Sequence, residues 1–236
     1  MNIALIIAGG SGARMHQNIP KQFLNVYDKP VIVYTLEAFE RHKEIDAIMV
    51  VCIKGWEHIL NAYAEQFNIK KLKHVVIGGE NGQASIRNGV FELEKYYSGE
   101  DIILIHDAIR PLVSEEIISD CIRVAKKNGS AVAVIPCAEA MLETENQISA
   151  KKSYPRECLK RTQTPQAFSL KTIGELHREA LDAGITNSIA TCTLMTELGK
   201  QVFFSCGSEK NIKLTTVEDI DIFKALLSAK RSEWLK

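Results

Sequence analysis

The sequence carries no excess of charge of either sign: its 29 lysines and arginines balance its 29 aspartates and glutamates. Without a net charge the chain creates no broad electrostatic field, which argues against nucleic acid or a membrane surface as its partner. It also lacks an apolar run of membrane-spanning length, and it lacks a basic N-terminal segment followed by a cleavage site. We therefore expect a cytoplasmic protein with no nucleic-acid or membrane partner.

Paired cysteine motifs are missing as well. None of the six cysteines forms a Cys-x-x-Cys pair, and none stands at a ligand-like spacing from a histidine. The cysteines are at positions 52, 121, 137, 158, 192 and 206. In a reducing compartment such scattered cysteines are most simply free thiols, several of them in core strands, so a zinc site is not expected.

The first 135 residues alternate short apolar runs with segments of helical spacing. The apolar runs, which fit buried strands, are residues 3–7, 45–53, 74–77, 102–105 and 131–135. The helical segments are residues 31–39, 56–67, 84–96 and a segment that begins at Ser114. Strands that alternate with helices predict right-handed βαβ units and a mostly parallel, doubly wound sheet, and 236 residues suffice for one large α/β domain.

This alternation stops after residue 136. Residues 137–162 mix charged residues with short alternating β patterns and contain no clear helix, which indicates either an insertion with its own role or an element that the pattern conceals. The pattern resumes with a helix at 170–183, a strand at 202–204 and a final helix at 217–229, which Thr215 or Thr216 would cap. We predict one domain over residues 1–236 with an inserted arm at about 137–162.

The first apolar run ends in a glycine-rich turn, Gly-Gly-Ser-Gly at residues 9–12. Glycine lets backbone amides approach a ligand closely, and consecutive amides in such a turn form a concave surface that attracts anions. Arg14 and Lys21 add two positive charges just beyond it. The turn is not a P-loop, because Gly-Lys-Ser/Thr does not follow, and not a dinucleotide fingerprint, because Met15 stands where the third glycine belongs. The sequence therefore predicts a polyphosphate cradle.

Two further groups follow strand ends. Residues 78–80, Gly-Gly-Glu, follow the third predicted strand, and Asp107 follows the fourth. Since ligands of an open parallel sheet bind beyond the carboxyl ends of the strands, these groups should converge with the glycine turn on one crevice. A carboxylate beside a phosphate loop suits Mg²⁺, which prefers oxygen ligands and substrate phosphates. The alternative role for Asp107 is to cap a helix or to form a structural ion pair with Arg110. We assign His106 a structural role, because it has no evident acid–base partner.

Several motifs together resemble those of one enzyme family. They are Gly-Gly-x-Gly-x-Arg-Met at residues 9–15 with Pro-Lys-Gln at 20–22, His-Asp-Ala-x-Arg-Pro at 106–111, Gln-Thr-Pro-Gln at 163–166 and Asn-Ile-Lys-x-Thr at 211–215. Over nearly its whole length the chain resembles the cytidylyltransferases that act on 2-C-methyl-D-erythritol 4-phosphate or ribitol 5-phosphate, within the nucleotide-diphospho-sugar transferase superfamily. The resemblance implies a Rossmann-like fold, transfer of CMP from CTP to a polyol phosphate with release of pyrophosphate, Mg²⁺ as cofactor, and a homodimer joined through the arm.

The resemblance also implies roles for individual residues. Those that would stabilise the triphosphate and the developing negative charge are Arg14, Lys21 and Lys213. Those that would bind the nucleotide are Ala8, Gly9, Gly10, Ser11, Gly12, Gly79, Glu80, Ser85 and Ala108. Those that would bind the acceptor are Asp107, Arg110, Arg156, Gln163 and Thr164. Asp107 would also hold the metal, and Arg156 would reach over from the arm of a second subunit. Residues 163–168 could at the same time form a turn between the arm and the next helix.

The chain departs from the family pattern on the acceptor side. Family members usually carry Asp-Thr near Glu139-Ala140 and Thr-Asp near Ile189-Ala190, and Asn81-Gly82 replaces a common Glu-Arg beside the nucleotide base. These departures favour a ribitol-phosphate-like alditol used in surface polymers such as teichoic acid or capsule. The alternatives are methylerythritol phosphate, the acceptor of isoprenoid biosynthesis, and a catalytically silent nucleotide-binding protein. A Rossmann oxidoreductase is disfavoured, since the third glycine and an acidic residue after the second strand are both missing.

Overall fold

The computed structural model describes residues 1–10 and 19–231, with side chains up to residue 229. The strands are β1 Asn2–Ala8, β2 Asn25–Val26, β3 Lys29–Pro30, β4 Ala47–Cys52, β5 Leu72–Ile77, β6 Ile102–Asp107, β7 Ser130–Pro136, β8 Met141–Glu143, β9 Lys152–Tyr154, β10 Lys160–Ser169 and β11 Phe204–Cys206. The helices are α1 Val31–Arg41, α2 Glu57–Gln66, α3 Gly82–Leu93, α4 Glu115–Asn128, α5 Leu170–Asp182, α6 Thr191–Glu197 and α7 Val217–Arg231. Short 3₁₀ turns lie at Lys21–Phe23 and Arg156–Cys158.

Seven of these strands form one sheet in the order β11-β7-β10-β6-β1-β4-β5. Of the seven, β10 runs antiparallel to both of its neighbours, and the other neighbouring pairs are parallel. Strand β1 can lie in the parallel part because both of its faces are apolar and buried, with Ala4 and Ile6 on one face and Ile3 and Leu5 on the other. The single α/β domain with a mostly parallel sheet is therefore confirmed.

Helices cover both faces of this sheet. On one face Phe39 of α1, Leu60 of α2 and Ile118 of α4 are buried in one core. On the other face Val90 of α3 and Leu176 of α5 are buried in a second core. Complete burial of an aliphatic or aromatic side chain of this size contributes roughly 1.5–3 kcal/mol, so the two cores hold the helices firmly on the sheet. The doubly wound arrangement leaves the carboxyl ends of the parallel strands uncovered at one edge.

Residues 163–168 form part of a strand, whereas a turn was one possibility that the sequence left open. This segment lies in β10, between β6 and β7, and the register of β10 on β7 shifts between Thr162 and Gln166. Gln163 and Gln166 are both buried there, with 6% and 3% of their surface exposed. The sequence conceals this strand because buried glutamines break the apolar pattern by which a core strand is recognised.

Part of the predicted arm is a hairpin. Strands β8 and β9 pair antiparallel, and all six of their residues are exposed. The final residues of the 137–162 segment belong instead to β10, where residues 160–162 pair with residues 134–136 of β7. Two smaller differences follow the arm: the strand expected at 202–204 is Phe204–Cys206, and helix α6 was not predicted. No helix within the described ranges combines the length and the apolar character needed to cross a bilayer.

Candidate active site

The site lies where the order of the strands reverses. Strands β1 and β6 are neighbours, with Ile7 paired to Asp107, but the chain continues from β1 to β4 on the opposite side of β1. Such a switch point opens a crevice beyond the carboxyl ends of the strands. A cleft of about 560 Å³ occupies this position, and it is lined among others by Gly9, Lys21, Glu80 and Lys213. The turns after β1, β5 and β6 therefore converge, as their positions at strand ends predict.

The glycine turn after β1 is fastened by a side chain to which the sequence assigned no role. Gln22 is 2% exposed, and its Nε2 donates to the carbonyl oxygen of Ala8 at 2.6 Å and to that of Gly10 at 3.0 Å. The next residue, Phe23, stacks on Trp56 with ring centroids 4.7 Å apart. Lys21 is thus held at the cleft by a turn that is anchored to the strand and to the core. The Pro-Lys-Gln motif was the available signal for Gln22.

The turn after β5 packs directly against the start of α3. Ser85 is 3% exposed, and its Oγ accepts a hydrogen bond from the backbone N–H of Gly79 at 3.0 Å. A Cβ on Gly79 would lie 2.6 Å from the Cβ of Ala84, and a Cβ on Gly9 would lie 3.0 Å from Ser85 Oγ. The two glycine turns therefore meet around Ser85, and only glycine permits their close approach at residue 79. Ser85 has a structural role here in addition to lining the cleft.

Asp107 is the charged centre of the site. Its Oδ2 accepts from Arg110 Nε at 3.0 Å, and Lys213 Nζ lies 3.2 Å from Oδ1 and 3.1 Å from Oδ2. Burial alone would raise the pKa of this carboxyl group, but the charges of Lys213 and Arg110 outweigh that effect and hold the pKa below its ordinary value. Asp107 is therefore a carboxylate at neutral pH, available to a cation.

His106 lies beneath the site and orders its polar groups. The carbonyl oxygen of Arg110 can only accept, so the 3.2 Å contact with His106 Nε2 requires the proton on Nε2. Nδ1 then accepts from Thr164 Oγ1 at 3.1 Å, and that hydroxyl in turn accepts from the N–H of Asp107 at 3.1 Å. Burial lowers the pKa of His106 to about 4, so this neutral tautomer persists at neutral pH. The structural role predicted for His106 agrees with these contacts.

A second hollow of about 320 Å³ adjoins the cleft. Asp107 and Lys213 line both cavities. The hollow is further lined by Arg110, Gln163, Thr164, Gln166, Ile189 and Thr191. It therefore opens beside the charged centre, on the side away from the glycine turns.

Buried amides fix the far side of this hollow. Asn211 is fully buried, and its Nδ2 donates to Thr164 O at 2.8 Å and to Gln163 Oε1 at 3.2 Å. The backbone carbonyl oxygen of Asn211 accepts from Arg110 Nη1 at 2.7 Å. These bonds attach the segment that carries Lys213 to β10 and to the turn after β6. The Asn-Ile-Lys motif thus places its lysine opposite Asp107.

Not every predicted residue is found in the cleft or the hollow. Ser11, Gly12 and Arg14 are outside the described residues, so their place stays a prediction. Ala108 is buried, with its N–H donating to Ile7 O at 3.0 Å and its carbonyl accepting from Thr35 Oγ1 at 2.8 Å, so both backbone groups are used inside the protein. Arg156 extends from the base of the hairpin, where its Nη1 donates to Ala138 O at 3.2 Å, and it lines neither cavity of its own chain.

The chemistry available at the site is electrostatic. Lys21, Lys213 and Arg110 supply positive charge, and Asp107 supplies a carboxylate. In the part of the chain that the structure describes, no group of three or more His, Cys, Asp or Glu side chains could hold a metal ion by itself. A cation such as Mg²⁺, bound through one carboxylate and substrate phosphates, fits this donor set better than zinc.

Comparison with known proteins gives consistent results. The family model "IspD: 2-C-methyl-D-erythritol 4-phosphate cytidylyltransferase" matches residues 2–229. The chain is 42% identical over 233 residues to the ribitol-5-phosphate cytidylyltransferase of Vibrio parahaemolyticus, with 98% of each chain covered. It is 35% identical over 223 residues to the 2-C-methyl-D-erythritol 4-phosphate cytidylyltransferase of Clostridium tetani, covering 93% of this chain and 87% of that one. The solved 4-diphosphocytidyl-2C-methyl-D-erythritol synthase of Anaerococcus prevotii superposes with a TM-score of 0.82 at 27% identity, covering 97% and 96% of the two chains.

Proposed function

This chain belongs to the 2-C-methyl-D-erythritol 4-phosphate cytidylyltransferase (IspD) family, and on that premise we propose that it transfers CMP from CTP to ribitol 5-phosphate. The resemblance inferred from its motifs is confirmed by the family match. Family membership identifies the chain as a nucleotidyltransferase. The choice of acceptor is supported by the higher identity to the ribitol-5-phosphate enzyme, 42%, than to the methylerythritol one, 35%. Methylerythritol phosphate is the alternative acceptor.

The reaction joins two phosphates directly. An oxygen of the acceptor phosphate attacks the α-phosphorus of CTP, the bond from that phosphorus to the bridging oxygen of the β-phosphate breaks, and pyrophosphate leaves. A phosphate monoester has its second pKa near about 6, so its oxygen is already ionised at neutral pH and no general base is needed. The buried histidine beneath the site, His106, is consistent with this course, since it is neutral and already hydrogen-bonded at both ring nitrogens.

The observation that carries the proposal is the pair of adjoining cavities with Asp107 and Lys213 between them. The cleft beside the glycine turns suits CTP, and the hollow beside β10 suits the acceptor. Lys21 and Lys213 would then stabilise charge that develops on the triphosphate, an effect that is largest where donors are fixed in advance. Arg14 has the same role by family resemblance.

Mg²⁺ is part of this proposal. Asp107 would hold it together with the phosphates of CTP, and the ion would neutralise phosphate charge when bound. The carboxylate fits this role since it is ionised and lines both cavities. Lys213, whose side chain is 42% exposed, has room to turn from Asp107 towards the phosphates.

We also propose that two chains associate through the hairpin of β8 and β9. An isolated two-stranded hairpin is marginally stable and leaves backbone edges unpaired. Its strands expose Met141 by 45%, Leu142 by 65% and Tyr154 by 41%, which supports a partner surface there. Pairing with a second copy would be two-fold symmetric and would bring Arg156 to the neighbouring hollow.

The test is pyrophosphate release from CTP with ribitol 5-phosphate, with methylerythritol phosphate in parallel and mass spectrometry of the product. We expect CDP-ribitol to form with the higher kcat/KM, and no release with ribitol, which lacks the attacking phosphate. A higher kcat/KM with methylerythritol phosphate would reverse the acceptor assignment. Binding of CTP without release from either acceptor would favour a silent nucleotide-binding protein.

A further inference from the structure

The loop between α5 and α6 forms one wall of the acceptor hollow. Its last residues, Ile189 and Ala190, line the hollow together with Thr191, the first residue of α6. The loop lies at the protein surface, and Ile189 is 96% exposed. A wall built from an exposed loop is firm only if its backbone is held from below.

Gln83, in the first turn of α3, holds this backbone at two points. Its Nε2 donates to the carbonyl oxygen of Ile185 at 2.6 Å, and its Oε1 accepts from the N–H of Ser188 at 2.7 Å. The side chain is 4% exposed, so both bonds are shielded from water. Asn81, which caps α3, adds a bond from Nδ2 to Thr186 O at 3.1 Å.

The two bonds need an amide of this length. The position requires a side chain that can both donate and accept. Glutamate cannot donate to Ile185 O, methionine can make neither bond, and asparagine is one methylene too short to span the same distance. The turn that carries Gln83 also touches both cavities, since Gly82 lines both, Ser85 lines the cleft and Ile86 lines the hollow. The start of α3 thus connects the nucleotide side with the acceptor side.

We propose that Gln83 is a positioning residue for the acceptor: by clamping the backbone at Ile185 and Ser188, it sets the place of Ile189 and Ala190 in the hollow. Gln83 does not line either cavity, so it acts through the loop and not by contact with a substrate. This inference rests on the proposed function, which assigns the hollow to the polyol phosphate.

The kinetic test replaces Gln83 by methionine, which keeps the length and removes both bonds. Losing two buried hydrogen bonds should raise the KM for ribitol 5-phosphate about tenfold. The KM for CTP should stay within about twofold, because the two lost bonds hold the backbone at residues 185 and 188, which do not line the nucleotide cleft. The matched control is Asn88→Ala on the same helix, which removes a bond to Ile77 O at 3.3 Å and should leave both KM values unchanged. A parallel rise of both KM values in Gln83→Met, or no rise in either, would overturn the proposal.

A second readout does not depend on activity. Amide hydrogen exchange at residues 185–190 should be faster in Gln83→Met than in the wild type and in Asn88→Ala, because the Ser188 N–H loses its acceptor. Gln83→Glu keeps an acceptor for Ser188 but sets a carboxylate oxygen against Ile185 O, so it should restore protection at Ser188 only in part and give an intermediate KM. Gln83→Leu, which also removes both bonds, replaces the methionine variant if that one does not fold. If the wild type transfers no CMP, the proposed function fails while exchange still decides the clamp. Unchanged exchange in Gln83→Met would show that Gln83 does not hold the loop.

Discussion

The nucleotide cleft and the acceptor hollow are built in different ways. The cleft is lined by residues of the turns after strands β1, β5 and β6, among them Gly9, Gly10 and Gly79, which have no side chain. The hollow is lined by side chains from β6, from β10, from the loop before α6 and from the segment at Lys213. Under the proposed function, a cradle of backbone amides would accept any polyphosphate, and the side chains of the hollow would decide which acceptor fits. This explains how one family includes relatives named for two different acceptors, at 42% and 35% identity to this chain.

Removing divalent metal should have the largest effect, since it acts at the carboxylate shared by both cavities. Excess EDTA should reduce pyrophosphate release to background, and Mg²⁺ but not Zn²⁺ should restore it, because the site offers an oxygen ligand and substrate phosphates. Full activity in EDTA would show that Asp107 serves only as an ion-pair partner of Lys213 and Arg110.

Lys21→Ala should disable the nucleotide cleft alone. Loss of one fixed donor to developing charge commonly lowers kcat by about 10²–10³, and we expect that range here. Lys127→Ala, in the last turn of α4, is the control for removing one exposed lysine and should leave kcat unchanged. Steady-state turnover of Lys21→Ala within a few-fold of the wild type would remove Lys21 from the mechanism.

Mixing two inactive variants should test whether the hollow is completed by a second chain. An Arg156→Ala chain and a Lys21→Ala chain would form one intact site per mixed dimer. At equal amounts and with random exchange, about a quarter of wild-type activity should return, because half of the dimers are mixed and half of their sites are intact. Native mass spectrometry should first confirm exchange of subunits. If exchange occurs and the mixture stays inactive, the two residues do not act in a site shared between chains.

Gly79→Ala should weaken the cleft through packing. The new Cβ would lie 2.6 Å from the Cβ and 2.8 Å from the carbonyl carbon of Ala84, so the turn after β5 must move. Such overpacking typically costs about 1–3 kcal/mol of the free energy of unfolding, which chemical denaturation can measure. Gly82→Ala is the matched control for stability, because an added Cβ there meets no atom of the described residues within 4 Å. Equal stability of both variants would contradict the close approach at Gly79.

Stability should also decline in acid, and His106, beneath the acceptor hollow, and His177 of α5 should both contribute to the decline. Burial lowers the pKa of both histidines from 6.5 to about 4, so the unfolded chain binds protons more readily than the folded protein. The free energy of unfolding should therefore fall as the pH drops from 6.5 towards 4, by roughly 2 kcal/mol per histidine between about pH 7 and 5.

Urea unfolding at about pH 7 and about pH 5 can separate the contributions of the two histidines to this pH dependence. Among the described residues, the ring nitrogens of His177 have no hydrogen-bond partner, so His177→Leu should remove its share of the pH dependence without lowering stability at neutral pH. An unchanged pH dependence in His177→Leu would show that burial of this ring is not the cause.

Local sequence predicted where the nucleotide side would be. Gly9, Gly10, Lys21 and Asp107 line one cleft, while residues 11–12 are outside the described residues and their part in binding phosphate stays a prediction. The acceptor side was assigned only by family resemblance. Gln83 and His106 make bonds to residues whose proximity no local pattern reveals, and for Gln22 the Pro-Lys-Gln motif was the available signal.

What the sequence by itself determined is the alternation of strands and helices and the family, whereas the phosphate cradle at residues 9–12 stays a prediction. These depend on periodicity and on contiguous motifs, which are local properties of a chain. The tertiary structure alone decided that β10 enters the centre of the sheet and that Lys213 meets Asp107 across 106 residues. Polar side chains such as Gln163 and Asn211 can be buried only where distant partners satisfy their hydrogen bonds, so their position follows from the assembled fold.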